Sequence, residues 1–374
     1  MNKKNIFVLL LTITASLFFI SCESDSISQS KLDLQQLGEG NIKPTIWGIR
    51  GFNHAGAPIF IHSTNFLYEL DEKNNVLNKL GSAIPNAVQV ANSRIVQDGK
   101  GDYYYLSGRQ SEVYILNKST NQWDTVFIAK GYKNIMVGNQ NGDILVVVNN
   151  TTMGGKESYY KKMANSNAWT KIGDKPTNID YSAEPQFLTN NGIAFFNYAS
   201  SPGSVDGANI YSDIALNTNT GTFEKLFDYS DADNFSVTEG YSYYAFYCDY
   251  ITPNGVFYVV QNPTSGVVAN LYKLTTDKLP AKFTKVQELD LTPLEEDGYL
   301  SIRGWKIDEA SGTIRIRLSC MKGLYSHKNL GIAKLGGSSA IKILEHDGPQ
   351  RGLISSPNGK VYVHNWEGYL YKWK

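Results

Sequence analysis

The sequence predicts an all-β chain, and within that class a β-propeller of seven blades, each a sheet of four antiparallel strands. Eight and six blades are the alternative counts. Three observations carry the prediction. Beyond residue 45 there is no long 3.6-residue hydrophobic period, and short runs rich in Tyr, Val, Ile and Phe alternate with Gly and Asn turns. One unit, a turn ending in glycine followed by an alternating strand, recurs along the chain. Its glycines, Gly56, Gly101, Gly142, Gly192, Gly255, Gly312 and Gly359, stand 45, 41, 50, 63, 57 and 47 residues apart, which is the spacing of four-stranded repeats.

Each unit is justified in order by its turn and the strand behind it. Ala55-Gly56 precedes Pro58–His62, and Lys100-Gly101 precedes Asp102–Leu106. Asn141-Gly142 precedes Asp143–Val148, and Asn191-Gly192 precedes Ile193–Asn197. Asn254-Gly255, Ser311-Gly312 and Asn358-Gly359 introduce the last three units. Asn-Gly is the strongest short hairpin signal, because both central positions of a type I′ turn need positive φ. The 63- and 57-residue gaps leave spare chain for an eighth blade, and one misread unit would leave six. A sandwich or a two-domain all-β chain leaves the recurrence unexplained. The chain ends at Trp373-Lys374, three strands into its seventh unit, so a strand from Lys31–Ile46 is expected to pair beside the last one and close the ring.

The N-terminus reads as an address. Lys3 and Lys4 precede an apolar run from Ile6 to Ile20, followed by Ser21-Cys22. A basic start before an apolar run of this length is a secretory signal, and a cysteine after a small residue resembles a bacterial lipobox, with Phe19 where leucine is more usual. The expected organisation is a signal peptide over 1–21, a lipidated Cys22 with a flexible tether over 22–40, and one propeller domain over 41–374. Removal of the signal takes two lysines from a chain with 35 basic and 35 acidic residues, leaving a net charge of about −2. That balance excludes the positive excess of a nucleic-acid binder. Hydrophobic residues at 42% exclude wholesale disorder, and three cysteines exclude a disulfide-stapled miniprotein. The 24 tyrosines are expected between blades, filling the wedge that widens away from the axis.

The signal, the lipobox, the Glu23-Ser24-Asp25-Ser26 tract and the all-β repeats together resemble the propeller lipoproteins of Bacteroidetes cell surfaces. The resemblance implies an outer-membrane lipoprotein of the cell envelope displayed at the surface. It implies a membrane contact through the lipid only, and it implies no particular chemistry.

If the first strand of each blade is innermost, the glycine turns share one face and the longer second-to-third-strand loops share the other. The loop face is the expected binding site, since function concentrates on loops held by a rigid scaffold. Its candidate ligand-binding residues are His62, Arg109, Tyr198, Tyr325, His327, His364, Trp366 and Glu367. The aromatics suit sugar or peptide stacking, and the polar groups suit orientation. His62 and His364 end equivalent strands of neighbouring blades, but no third metal ligand accompanies them. Glu295 and Glu296, in a connection between blades, could pair with Glu367 as hydrolytic carboxylates. Cys248 and Cys320 are expected as small core residues rather than a disulfide. No Gly-x-Ser-x-Gly, His-Glu-x-x-His, Cys-x-x-Cys or Walker motif occurs.

These features favour a monomeric surface binding module for a glycan, peptide or partner protein, without catalytic residues, metal or cofactor. The alternatives are a glycan-active hydrolase or lyase with carboxylates or histidine near the axial channel, and a scaffold subunit of an envelope complex.

Overall fold

The period-two runs fold as strands in the computed structural model of the chain, which describes residues 34–37, 49–61, 65–85, 94–106, 112–128, 133–149, 157–176, 183–198, 214–225, 246–251, 256–261, 267–282, 284–294, 302–308, 311–318, 320–322, 325–327, 330–338, 340–344, 350–356, 360–365 and 370–373. Strand β1 (Leu34–Leu37) is followed by a first sheet of β2 (Ile49–Phe52), β3 (Pro58–Ile61), β4 (Leu67–Asp71) and β5 (Val76–Leu80). The second sheet is β6 (Arg94–Gln97), β7 (Tyr103–Leu106), β8 (Glu112–Asn117) and β9 (Gln122–Ile128). The third is β10 (Lys133–Gly138), β11 (Ile144–Asn149), β12 (Glu157–Lys162) and β13 (Trp169–Asp174). The fourth is β14 (Ala183–Leu188), β15 (Ile193–Tyr198), β16 (Ile214–Asn217) and β17 (Thr222–Lys225).

The fifth sheet is β18 (Phe246–Ile251), β19 (Val256–Gln261), β20 (Val268–Thr275) and β21 (Thr284–Asp290). In the sixth, β22 (Ile302–Asp308) and β23 (Thr313–Leu318) lead into a separate hairpin of β24 (Cys320–Lys322) and β25 (Tyr325–His327). The sheet then resumes with β26 (Leu330–Lys334) and β27 (Ala340–Leu344). The last sheet joins β28 (Gln350–Ser355), β29 (Val361–Asn365) and β30 (Leu370–Trp373) to β1, in the order β1-β30-β29-β28.

Four is thus the number of strands in each sheet, and the described sheets of this kind number seven. The second-to-third-strand connection of the sixth blade holds the β24–β25 hairpin, and Cys320 is its first residue. The six- and eight-blade alternatives do not match the described sheets. The closing strand expected from Lys31–Ile46 is β1, with Leu34 paired to Trp373 and Leu37 to Leu370, so part of the 22–40 segment is sheet.

The sheets form a ring because each buries its faces on two neighbours. Ile59, Ile61 and Leu67 of the first sheet pack on Tyr103, Tyr105 and Trp123 of the second. Tyr104 and Leu106, which point to the other face of β7, pack on Met136, Val146 and Val148 of the third. Leu145, Val147 and Tyr159 meet Ala194, Phe196 and Leu216 of the fourth. A hydrogen bond from Asn191 to the Thr276 carbonyl (3.2 Å) links the fourth to the fifth. Tyr258, Leu271 and Leu289 pack on Trp305, Ile307 and Ile316 of the sixth. Strands β22 and β28 are neighbours, and Leu37 and Tyr362 of the last sheet pack on Ile49, Phe60 and Leu70 of the first.

The aromatic residues fill these seams. Phe127 lies 4.9 Å from Trp169 and 5.1 Å from Tyr160 between the second and third sheets. Tyr159 lies 5.3 Å from Phe223 between the third and fourth. Such pairs contribute about 0.5–1.5 kcal/mol each beyond the area they bury. First strands contact one another in the series β2, β6, β10, β14 and in the series β18, β22, β28. The first strand of each sheet therefore lines the axis.

Candidate functional site

The two faces of the ring carry different chemistry. On the face of the glycine turns, Asn53, Asp98, Asn139, Thr189 and Ser356 each open a turn. Each side-chain oxygen accepts a hydrogen bond from the backbone N–H four residues on: Ala57 at 2.8 Å, Asp102 at 3.0 Å, Asp143 at 2.8 Å, Ile193 at 2.9 Å and Lys360 at 3.0 Å. These residues stand three positions before the glycine, except that the glycine following Ser356 lies outside the described residues. The sequence carries this repeat as Asn, Asp, Thr or Ser at that position, a signal separate from the glycine spacing. Side-chain oxygens of Asp, Asn, Ser and Thr mimic a backbone turn in this way.

Titratable groups on the same face stitch blades together. The Lys162 ammonium lies 2.9 Å from the Asp98 carboxylate, which also accepts from the Tyr104 hydroxyl at 3.1 Å. Burial opposes ionisation of Asp98. The Lys162 ammonium and the backbone N–H groups of Asp102 and Lys100 outweigh it and hold the carboxyl below its ordinary value. Glu72 is held by Lys360 and Lys372 at 3.0 Å each and by the Tyr362 hydroxyl. Despite burial, its carboxyl also lies below the ordinary value. The Tyr103 hydroxyl donates to Glu69 at 2.7 Å, and burial with these acids pushes the Tyr103 and Tyr362 phenols well up. His54 accepts this role too, its backbone N–H donating to the Gln97 side chain at 2.8 Å. These groups are committed to the seams, which makes the turn face structural.

The opposite face holds the starts of the inner strands. Their first two residues are Ile49-Arg50, Arg94-Ile95, Lys133-Asn134, Ala183-Glu184, Phe246-Tyr247, Ile302-Arg303 and Gln350-Arg351. Arg50, Arg303 and Arg351 share a device. In each strand the register shifts across the arginine, between Ile49 and Gly51, Ile302 and Gly304, and Gln350 and Gly352, so the arginine is the extra residue of a β-bulge. Bulges bend a strand and re-aim a side chain, and they concentrate at rims and sites. Gly51 is needed for its own reason, since a Cβ there would collide with the Ile95 carbonyl of the next inner strand.

Arg50 is buried, whereas Arg94 is exposed although its strand lines the axis. Desolvation by the surrounding protein nevertheless lowers the Arg94 guanidinium from its ordinary value.

The residues expected from the sequence fall on this face in part. His364 lies in β29 opposite Gly352, one residue past the bulged Arg351. Tyr198 is the last residue of β15, and Tyr325 and His327 bound β25. His62, Arg109, Trp366, Glu367, Glu295, Glu296 and Cys22 lie outside the described residues, so the expected Glu295 or Glu296 pair with Glu367 also falls there. Cys248 lies in β18 and Cys320 in β24. Among the described residues no cluster of three or more His, Cys, Asp or Glu is placed to hold a metal ion, and no helix is long and apolar enough to cross a membrane.

A closed ring of radially packed four-stranded sheets, with the first strand of each at the axis, defines the class as a β-propeller. Comparison with solved structures finds the same fold at low identity. A catalytically inactive virginiamycin B lyase from Staphylococcus aureus with quinupristin is 11% identical at a TM-score of 0.51, over 91% of this chain and 98% of that one. A GH74 enzyme from Niastella koreensis is 15% identical at a TM-score of 0.50, over 90% of this chain and 52% of that one. A prolyl endopeptidase is 11% identical at a TM-score of 0.52, over 87% of this chain and 49% of that one. The chain thus spans about half the length of the last two. No family model matches the sequence, and no curated protein does.

These likenesses show the fold. They also correct the expectation of a non-catalytic binding protein, which rested on missing motifs. Enzymes of several reaction classes stand among the structures that share this architecture, so the lack of a familiar motif does not set catalysis aside.

Proposed function

We propose that the protein is a glycan-active enzyme, a hydrolase or lyase, that works where the inner strands begin. One observation carries the reading. The ring puts an imidazole-bearing position, His364 in the second strand of the seventh blade, and a carboxylate-bearing position, Glu184 in the inner strand of the fourth, on the same face. Imidazole suits proton abstraction near neutral pH, a carboxyl suits proton donation to a leaving oxygen, and fixed cations stabilise developing negative charge. This reading takes His364 from the sequence expectations. It adds Glu184, which carries no motif signal.

The test is a product assay on a panel of polysaccharides with the wild-type protein, His364→Ala and Glu184→Gln. The expected outcome is release of oligosaccharides by the wild type and a loss of about 10²–10⁴-fold in rate in each variant, with melting unchanged. Turnover that survives both substitutions at full rate removes these two residues from the chemistry.

The sequence supports an envelope location for this activity, through the lipobox at Cys22. We infer that the lipid holds the domain at the outer membrane.

A further inference from the structure

A row of asparagine amides crosses the turn face from the third blade to the fifth, on the face opposite the one proposed for catalysis. Asn139 Nδ2 donates to the Thr189 carbonyl of the fourth blade at 3.0 Å, and Asn141 Nδ2 donates to the Asn190 carbonyl at 3.2 Å. Asn191 Nδ2 carries the row on to the Thr276 carbonyl of the fifth blade at 3.2 Å. Within the fourth blade, Asn219 Nδ2 donates to the Asn191 carbonyl at 2.8 Å. Each link joins a side-chain N–H to a backbone C=O, so it lasts only while the side chain is an amide.

Two members of the row, Asn141 and Asn191, are followed by glycine. That dipeptide carries its own nucleophile. The glycine nitrogen attacks the asparagine Cγ and closes a five-membered imide. The new bond joins that nitrogen to Cγ, the Cγ–Nδ2 bond breaks, and Nδ2 leaves as ammonia with the proton of the glycine N–H. Water then opens the imide at either carbonyl and gives aspartate or isoaspartate. Glycine offers no Cβ to obstruct the attack, and asparagine is a thermolabile residue type. The product replaces a donor with a carboxylate oxygen facing the carbonyl oxygen of the next blade. Two acceptors then meet with no proton between them.

The fold restrains the two sites unequally. Both asparagines are exposed, and both glycine nitrogens are engaged, Gly142 N–H with the Asn139 carbonyl at 3.1 Å and Gly192 N–H with the Thr189 carbonyl at 3.0 Å. Gly142 packs on Gly99 of the second blade and Gly192 lies against the Asn219 amide, so each ring closure starts from a local opening of the turn. The side chains differ. Among the described residues Asn141 is tied through Nδ2 alone. Asn191 is tied at both ends of its amide, with Nδ2 on the Thr276 carbonyl and Oδ1 accepting from the Thr189 hydroxyl. Turning Cγ toward the glycine nitrogen breaks one side-chain hydrogen bond at Asn141 and two at Asn191.

We propose that Asn141 and Asn191 are spontaneous modification sites, Asn141 the faster, and that their conversion to aspartate or isoaspartate loosens the seams on either side of the fourth blade.

The test is peptide mass spectrometry of the purified protein aged in warm, mildly alkaline buffer, folded and in urea, reading the exchange of NH₂ for OH at each site. In urea the two sites are expected to react at similar rates. In the folded chain both should slow by at least about ten-fold, with Asn191 slower than Asn141 by a further factor of about five. Thr189→Val removes the hydroxyl that holds Asn191 Oδ1 and is expected to bring Asn191 to the rate of Asn141. Asn141→Asp and Asn191→Asp are each expected to lower the melting midpoint. Asn165→Asp, an exposed change in the β12–β13 turn on the same face, is expected to leave it unchanged. The wild-type rates and the aspartate variants decide the matter if Thr189→Val fails to fold. Asn191 reacting as fast as Asn141 in the folded wild type, either site reacting as fast folded as in urea, or both aspartate variants melting with the wild type overturns the proposal.

Discussion

Lys162 and Asp98 meet across the seam between the second and third blades, ammonium to carboxylate at 2.9 Å, and each side chain is 1% exposed. Neither group can be relieved by water. Removing one leaves the other as a buried, uncompensated charge, which typically costs about 3–5 kcal/mol. Lys162→Met is therefore expected to lower stability by about that amount in a denaturant titration. Asp98→Asn combined with Lys162→Met should cost less than the single change, because Asn keeps the oxygen that accepts from Lys100 and Asp102. A double variant no more stable than the single one contradicts this account of the pair.

The same carboxylates set an acid limit. Asp98 and Glu72 are held below their ordinary values of 3.8 and 4.5 in the folded chain. A depressed folded value means that the folded state binds protons less readily than the unfolded one. The stability from these groups is present above the unfolded values and is lost as pH falls through the folded ones. The melting midpoint should be flat with respect to these two groups from about pH 7 to about pH 5 and should fall below about pH 4. Lys162→Met should shallow that acid slope. A slope unaltered by the substitution would show that the pair does not set it.

Closure of the ring depends on four residues near the N-terminus. Without β1, strand β30 is an unpaired edge, and Leu37 no longer covers the apolar cluster around Tyr362. A chain beginning at residue 31 should melt with the full-length domain. A chain beginning at residue 41 should melt on the order of 5 °C lower and associate more readily, as read by scanning calorimetry and light scattering. Equal melting of the two truncated chains would place closure elsewhere.

Two turn glycines make a graded comparison. Gly142 has φ near +92°, and a Cβ there would run into the backbone of Gly99 in the neighbouring blade. Gly312 has φ near +64° with open space around the missing Cβ. Gly312→Ala should cost about 1 kcal/mol from backbone strain alone. Gly142→Ala should cost clearly more, because the turn must also shift. Denaturant midpoints of the two variants read the difference, and similar values would show that the blades yield at that seam.

The lipobox expectation is tested by feeding radiolabelled palmitate to cells expressing the chain. Label is expected on the wild type and absent from Cys22→Ser, which should also leave the membrane fraction. Equal labelling of both would remove Cys22 as the anchor.

The repeat was legible because its turns obey local rules. Asn-Gly at Gly142 and Gly192 announces a backbone that must reach positive φ, and both glycines do. The tyrosines were expected between blades, and Tyr103 and Tyr105 fill one seam while Tyr104 fills the next. The capping pattern at Asn53, Asp98, Asn139, Thr189 and Ser356 was equally local. Four residue types share one role there, so no single letter repeats. The shared bulge position could not be read this way. Arg-Gly at residues 50, 303 and 351 has no meaning until three strands are known to be innermost and bulged.

By itself the sequence determined the repeat unit, its turns and the aromatic filling. Each of these depends on residues close together in the chain, where backbone sterics and side-chain periodicity act directly. Only the tertiary structure decided which residues share the axis. Arg50 and Arg351 stand near opposite ends of the chain and become neighbours because β1 closes the last sheet and Tyr362 binds the first. The bulges at those two positions are one-residue register shifts. A shift of that size exchanges the two faces of a strand and leaves no mark in composition or spacing.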